Sequence, residues 1–159
     1  MLSAAGRRGT RLSAVEKIDR QILSLLAGDG RMSYTDLGKA TGLSTSAVHQ
    51  RVKRLEERGL ITGYGASIDH AKAGRPLTAF ISITPIDAAA ADDYPERLAP
   101  IEEIESCWSV AGEESYILKV RVAVPADLEE LLSRIRAAAN VSTRTTIVLS
   151  TPYEHRPMP

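Results

Sequence analysis

The stretch Ser33–Arg58 has the sequence SYTDLGKATGLSTSAVHQRVKRLEER, and it determines the fold of the first half of the chain. Ser33 followed three residues later by Asp36 is a capping-box variant, which predicts the start of a short helix. Gly42 predicts a sharp turn, because glycine accepts the left-handed backbone conformation without penalty. Ser44 predicts the N-cap of a further helix that runs to the end of the stretch. Two short helices joined by a tight glycine turn indicate a helix-turn-helix.

The second helix of this stretch has one apolar stripe, formed by Val48, Val52 and Leu55. Its other faces are polar and basic, and small hydroxyl residues occupy its first turn, where a recognition helix must approach base edges closely. Glutamine suits adenine, histidine and lysine suit guanine, and arginine suits phosphate. We therefore predict DNA contacts from Ser44, Thr45, Ser46, His49, Gln50, Arg51, Lys53 and Arg54, with Arg58 near the phosphates. A solvated basic helix in a bundle is the alternative.

An upstream helix is predicted from Val15 to Leu26, because apolar residues recur there at helical spacing. The glycines that follow end it. After the recognition helix, Leu60 and Ile61 predict a short strand or a turn. The charged residues of the upstream helix fall off its apolar face in this pattern: Glu16, Lys17, Asp19 and Arg20.

The second half changes to the alternation of β-strands. A first strand is predicted from Leu77, with Pro85 ending it, and further strands at 104–111, 116–124 and 143–149, with helices at 92–101 and 127–139. The order β-α-β-β-α-β is ferredoxin-like, so the fold class of the whole chain is α+β. Two helices cover one face of such a sheet, and the other face must meet solvent or a partner. The strands have more apolar surface than two short helices can cover. We therefore assign a dimer interface to four apolar residues: Ala79, Ile81, Val110 and Ile147.

Charge is divided unequally along the 159 residues, although the formal net charge is +0. Residues 1–75 contain 13 Lys and Arg against 7 Asp and Glu, and residues 76–159 contain the reverse. The halves therefore carry +6 and −6. A basic half indicates a polyanionic partner, here double-stranded DNA.

Several protein classes are disfavoured by the residue inventory. The single cysteine, Cys107, allows no disulfide framework, and the three histidines lack metal-ligand spacing, so we expect no metal and no cofactor. No apolar run is long enough to span a membrane, and no apolar region follows the basic start, so we expect a cytoplasmic protein without a secretory signal. No nucleophile–base pair is visible, and we expect no enzyme activity.

Five short motifs in fixed order resemble the Lrp/AsnC (feast/famine) family of prokaryotic transcription regulators. They are IDRQIL at 18–23, DGR at 29–31, LS at 43–44, RVKRLE at 51–56 and GLITGY at 59–64. The resemblance covers about residues 15–150. It implies a winged helix-turn-helix, a dimerising effector-binding domain, homodimers that commonly assemble into octamers, and amino acids as effectors.

The resemblance also implies an effector site between the second and third strands, at an interface between dimers. Its residues are Gly112, Glu113, Glu114, Ser115 and Tyr116. The family often has an acidic residue just before the tyrosine, where this chain has Ser115. Without the resemblance, the same residues form a polar hairpin turn.

We accordingly predict a flexible basic arm at 1–12, a DNA-binding domain at 13–64, a linker at 65–76, an effector-binding and oligomerisation domain at 77–150 and a tail at 151–159. The predicted function is sequence-specific transcription regulation in response to a small effector, an amino acid. An effector-independent, nucleoid-type protein that wraps DNA around an oligomer is the alternative. A small enzyme on a ferredoxin-like domain is disfavoured, because residues 77–150 show neither a metal cluster nor a catalytic pair.

Overall fold

The computed structural model describes residues 16–87, 89, 92–154 and 156, so the predicted arm at 1–12 and Val15 lie outside the described residues. Residues 67–152 form one compact unit, and the chain before Ser67 belongs to another. The elements in chain order are α1 (Lys17–Gly28), α2 (Tyr34–Thr41), α3 (Thr45–Glu57), β1 (Leu77–Pro85), α4 (Tyr94–Leu98), β2 (Ile104–Ser109), β3 (Tyr116–Val122), α5 (Pro125–Ala139) and β4 (Val141–Ile147).

The first unit is a three-helix cluster, and α2 and α3 start where the sequence predicts. The Ser33 hydroxyl oxygen accepts a hydrogen bond from the Asp36 backbone N–H at 3.1 Å, and Ser44 does the same for Ala47 at 3.2 Å. Gly42 ends α2 in the left-handed conformation at a φ of 74°. The helices enclose a small core of Ile22, Leu37, Val48, Val52 and Leu55.

The chain that leaves α3 forms a turn, which is one of the two predicted alternatives. The backbone N–H groups of Leu60 and Ile61 both donate to the Leu55 carbonyl oxygen, at 2.9 and 3.2 Å. Between α3 and β1, all of which is described, no strand forms.

The second unit is a four-stranded antiparallel sheet in the order β2-β3-β1-β4, which confirms the predicted ferredoxin-like topology. Its core includes Ile83, Leu118, Leu131 and Ile135, so α5 packs on one sheet face. The predicted helix at 92–101 is shorter, since α4 covers only Tyr94–Leu98.

The last strand begins two residues earlier than predicted. Asn140 caps α5 in the left-handed conformation, at a φ of 52°, and β4 starts at the next residue, Val141. The strand then pairs with β1 as far as Ile147. Leu149, predicted as its last residue, is 95% exposed.

The sheet face that the helices leave open differs from the predicted one. Ala79 and Ile81 are completely buried in the core beneath the helices, so assigning them to a dimer interface was wrong. Ile147 pairs with Ala79 and therefore shares their face. The open face instead presents apolar side chains at Phe80, Trp108 and Ile117, because strand residues alternate between faces.

Candidate nucleic-acid interface and ligand site

The exposed side of α3 carries most of the residues predicted to contact DNA. Gln50, Lys53 and Arg54 are exposed opposite the buried stripe of Val48 and Val52. The first turn adds Ser44, Thr45 and Ser46, all exposed, with the Ser44 and Ser46 hydroxyl oxygens 3.2 Å apart. The exposed side of α3 thus has small polar side chains at its N-terminal end and longer polar and basic side chains further along. This arrangement suits a helix that enters the major groove with its N-terminal end.

Two members of this set have side chains that contact a neighbour. The His49 ring lies edge-on to the Tyr34 ring of α2, with ring centres 5.2 Å apart. Lys53 Nζ lies 3.8 Å from a Glu57 carboxylate oxygen one helical turn later. Both remain exposed, so these contacts orient them without enclosing them.

Arg51 differs from the other predicted DNA contacts, because it is tied to α1. Its guanidinium donates at 2.8 Å to Glu16 and at 2.8 Å to Asp19, and these hydrogen bonds raise the pKa of Arg51. Asp19 is buried, contrary to its predicted place off the apolar face of α1. A phosphate contact by Arg51 would have to use its other guanidinium N–H groups or break this ion pair.

Gly38 in the middle of α2 is a structural position of the helix-turn-helix that the sequence analysis missed. A Cβ atom there would lie 2.7 Å from the Leu43 carbonyl oxygen, closer than real Cβ atoms come to backbone. The Gly38 carbonyl oxygen also accepts the Leu43 N–H at 3.0 Å. A glycine inside a helical pattern was the available signal. It lets α2 pack directly on the turn that leads into α3.

In the second unit, the loop between β2 and β3 borders a cavity of about 420 Å³. The Tyr116 hydroxyl donates to Asp92 at 2.8 Å, and this hydrogen bond raises the pKa of Tyr116. The Tyr94 and Tyr116 ring centres lie 6.1 Å apart. The lining comprises Pro85, Asp92, Tyr94, Ser109, Val110, Ala111, Gly112, Glu114, Ser115 and Tyr116. It combines carboxylates, aromatic rings and backbone.

Glu114 lies between this cavity and a second one of about 150 Å³. Its carboxylate pairs with the Arg144 guanidinium of β4. Glu113, in contrast, is exposed. The second cavity is lined by Ser82, Thr84, Glu113, Glu114, Ser142, Thr143 and Arg144.

The backbone of the loop is partly engaged. The Ser115 N–H donates to the Ile83 carbonyl oxygen at 3.0 Å and so holds the loop on β1. A Cβ atom at Gly112 would meet only a Glu114 carboxylate oxygen, at 3.7 Å, an ordinary contact. Gly112 thus leaves open space beside Glu114.

Three residues of this region were missed by the sequence analysis: Asp92, Tyr94 and Arg144. They are far from the loop in sequence, and only the tertiary fold brings them to it. Asp92 was predicted only as the start of a helix, and Arg144 only as a residue of the last strand.

Two other features can be excluded for the described ranges. They contain no group of three or more His, Cys, Asp or Glu that could hold a metal ion. No helix within them is long and apolar enough to cross a membrane.

Two family models match the chain in the same order as its two units. Residues 15–62 match a winged helix-turn-helix DNA-binding family, and residues 78–158 match the Lrp/AsnC ligand binding domain. The HTH-type transcriptional regulator LrpA of Mycobacterium tuberculosis is 54% identical over 143 residues, which are 90% of this chain and 95% of that protein. The leucine-responsive regulatory protein of Escherichia coli is 35% identical over 140 residues, 85% of each chain.

Solved structures agree with these matches. The feast or famine regulatory protein of M. tuberculosis, complexed with L-methionine, superposes with a TM-score of 0.87 at 53% identity and covers 91% of this chain and 99% of its own. E. coli AsnC gives a TM-score of 0.78 at 30% identity, with 89% and 97% covered. The matches confirm the predicted resemblance and the predicted α+β fold class. The chain is a member of the Lrp/AsnC family of transcriptional regulators, with a DNA-binding winged helix-turn-helix followed by the family's ligand-binding domain.

Proposed function

We propose that this protein is a sequence-specific regulator whose DNA binding or oligomeric state responds to a free amino acid bound beside the β2–β3 loop. The observation that carries the proposal is the cavity of about 420 Å³ in the ligand-binding domain, which joins carboxylates to a tyrosine pair. The M. tuberculosis relative solved with L-methionine supports an amino acid as the ligand class.

The cavity offers complementary groups for each part of an amino acid. The ammonium group pairs with the Glu114 carboxylate, with Asp92 close by, in charge-assisted hydrogen bonds. In the described part of the chain, no protein acceptor takes the backbone N–H groups of Gly112 and Glu113, which are therefore available to the ligand carboxylate. The ligand side chain packs against the ring of Tyr94.

DNA recognition falls to the exposed side of α3. Gln50 is the base-reading residue in this proposal, with His49 and Lys53 beside it, and Arg54 contacts phosphate. Ser44, Thr45 and Ser46 let the N-terminal turn approach the groove. Arg51 contributes indirectly, because its ion pair with Asp19 holds α3 against α1.

The open sheet face supplies the proposed assembly. An isologous contact through Phe80, Trp108 and Ile117 gives a two-fold homodimer, which presents two copies of α3. Dimers joined near the β2–β3 loop give the octamer, and a partial palindrome is the expected operator. Such a regulator acts in the cytoplasm, where its DNA lies.

The test is calorimetry of the full chain with each of the twenty amino acids, followed by DNA binding at one fixed salt concentration with and without the ligand found. We expect heat from at least one amino acid and a change in DNA affinity or sedimentation. Gly112→Val fills the space beside Glu114 and should abolish the response while leaving ligand-free DNA binding intact. Absence of heat from all twenty amino acids would contradict the proposed effector site and favour the DNA-organising alternative.

A further inference from the structure

Glu114 is the one residue that lines both cavities at the β2–β3 loop, as far as the described residues show. Only 18% of its side chain is exposed, whereas 69% of its partner Arg144 is exposed. A mostly buried carboxylate is therefore neutralised by a mostly solvated, flexible cation. The pair spans from the loop to the edge strand β4.

A carboxylate so far withdrawn from water requires a cationic partner, because an unpaired buried charge is costly. Among the described residues, Arg144 is the ion-pair partner of Glu114. In the proposed function the ammonium group of an amino acid reaches the same carboxylate from the larger cavity. Two cations therefore compete for Glu114.

Arg144 also belongs to the open face of the sheet. Arg144 on β4 pairs with Ser82 on β1. Ser82 pairs on its other side with Ile117 on β3, and Ile117 pairs with Trp108 on β2. These four side chains form one row across the face, since paired residues of antiparallel strands point to the same side. An Arg144 guanidinium that leaves Glu114 stays on this face.

We propose that Arg144 is an internal competitor for the effector's ammonium group, and that ammonium binding to Glu114 releases Arg144 onto the open sheet face. The inference rests on the proposed amino-acid site and adds a regulatory residue to it. It couples the site to the proposed dimer surface, and the coupling is reciprocal: whatever draws Arg144 from Glu114 strengthens effector binding.

The competition makes a prediction about ligand class. A 2-oxo acid with the same side chain has no ammonium group, so it cannot displace Arg144. Removing Arg144 should strengthen binding of the amino acid without strengthening binding of the oxo acid.

The experiment is calorimetry of the full chain with L-methionine and with its 2-oxo analogue. Arg144→Gln should bind L-methionine roughly three- to fivefold more tightly, the range of a partly exposed ion pair. In a Glu114→Gln background, Arg144→Gln should change nothing. Arg136→Gln is the matched control, because Arg136 is exposed nearby and its guanidinium bonds only Thr143 and Ser133 among the described residues.

The outcomes separate the two proposals. Equal or weaker L-methionine binding by Arg144→Gln overturns the competition and leaves the effector site standing. The same gain from Arg136→Gln overturns it also, since net charge then explains the effect. Absence of heat from parent and variants alike contradicts the amino-acid site for this ligand, and the competition with it. Binding by Arg144→Gln alone supports both.

Discussion

The Asp19 carboxylate on α1 accepts a 2.8 Å hydrogen bond from the Arg51 guanidinium on α3. Asp19 is the buried partner, and the exposed Glu16 shares the same guanidinium nitrogen. This pair ties the first helix to the helix that carries the proposed DNA contacts. The orientation of α3 therefore depends on an ion pair as well as on its apolar stripe.

Asp19→Asn should lower the free energy of unfolding of the first unit by about 1–3 kcal/mol, because it leaves a partly buried guanidinium with a weaker acceptor. Urea unfolding followed by circular dichroism measures this loss. Glu16→Gln is the control, and its loss should stay below about 1 kcal/mol, as for an exposed pair. Equal losses from both variants would mean that burial of Asp19 does not matter.

Gln50→Ala should cost about 1–3 kcal/mol of binding at the preferred operator and relax base preference at one position, as expected for a bidentate base contact. Titration of operator and random DNA at matched salt measures both effects. Arg54→Met should weaken both DNAs alike and flatten the salt slope by about one unit. Equal losses for Gln50→Ala on the two DNAs would remove Gln50 from the base-reading set.

Gly38→Ala should destabilise the helix-turn-helix by about 1–3 kcal/mol, since its methyl group must displace the Leu43 carbonyl. Thermal unfolding measures the change. Gly63→Ala is the matched control, because a Cβ atom there meets nothing within 4 Å and should leave stability nearly unchanged. A neutral Gly38 variant would show that the turn can move away from α2.

Acid stability should depend on Glu103, whose pKa lies below the usual value of 4.5 because Arg134 donates two hydrogen bonds to it, at 2.7 and 3.3 Å. Because the pKa of Glu103 is lower in the folded chain than in the unfolded chain, its ionised carboxylate stabilises the fold at pH values above the unfolded pKa of 4.5. This stabilisation is lost as the pH falls from 4.5 through the folded pKa. Glu103→Gln should lose less stability than the parent over this interval in unfolding measured from pH 7 downward. Glu102→Gln, at an exposed neighbouring site, should follow the parent curve.

Trp108→Glu should dissociate the proposed dimer in sedimentation, because it places a charge in the apolar centre of the open face. Val124→Glu is the control at equal exposure, 48% against 46% for Trp108, beside the helices instead of on the open face. A parent chain that is monomeric across micromolar concentrations would contradict the proposed interface.

The helices of the first unit could be predicted from local sequence signals. Ser33, Ser44 and Gly42 act within a few residues of themselves, so their roles follow from capping and turn chemistry. Asp19 and Arg51 are partners in the tertiary structure but lie 32 positions apart in the sequence, so no local pattern joins them. The burial of Asp19 was accordingly missed.

The sheet was harder to orient than to recognise. The β-α-β-β-α-β order follows from periodicity, but β1 has apolar residues on both sides, with Ile81 beneath the helices and Phe80 on the open face. Alternation alone does not say which set is covered. The end of β4 was predicted too late for a similar reason, because the apolar run continues through Val148 and Leu149 beyond Ile147, the last residue paired with β1.

Asn140 is the whole connection between α5 and β4, and this fixes how the chain can change in length. A one-residue insertion after Asn140 that entered the strand, instead of lengthening the connection, would shift β4 by one residue against β1 and reverse the facing of every β4 side chain. Arg144 would then point under the helices, and a neighbouring threonine would take its place opposite Glu114. Insertions or deletions that shift the last strand by an odd number of residues should therefore be absent from any relative that keeps a basic residue on the open side of that strand.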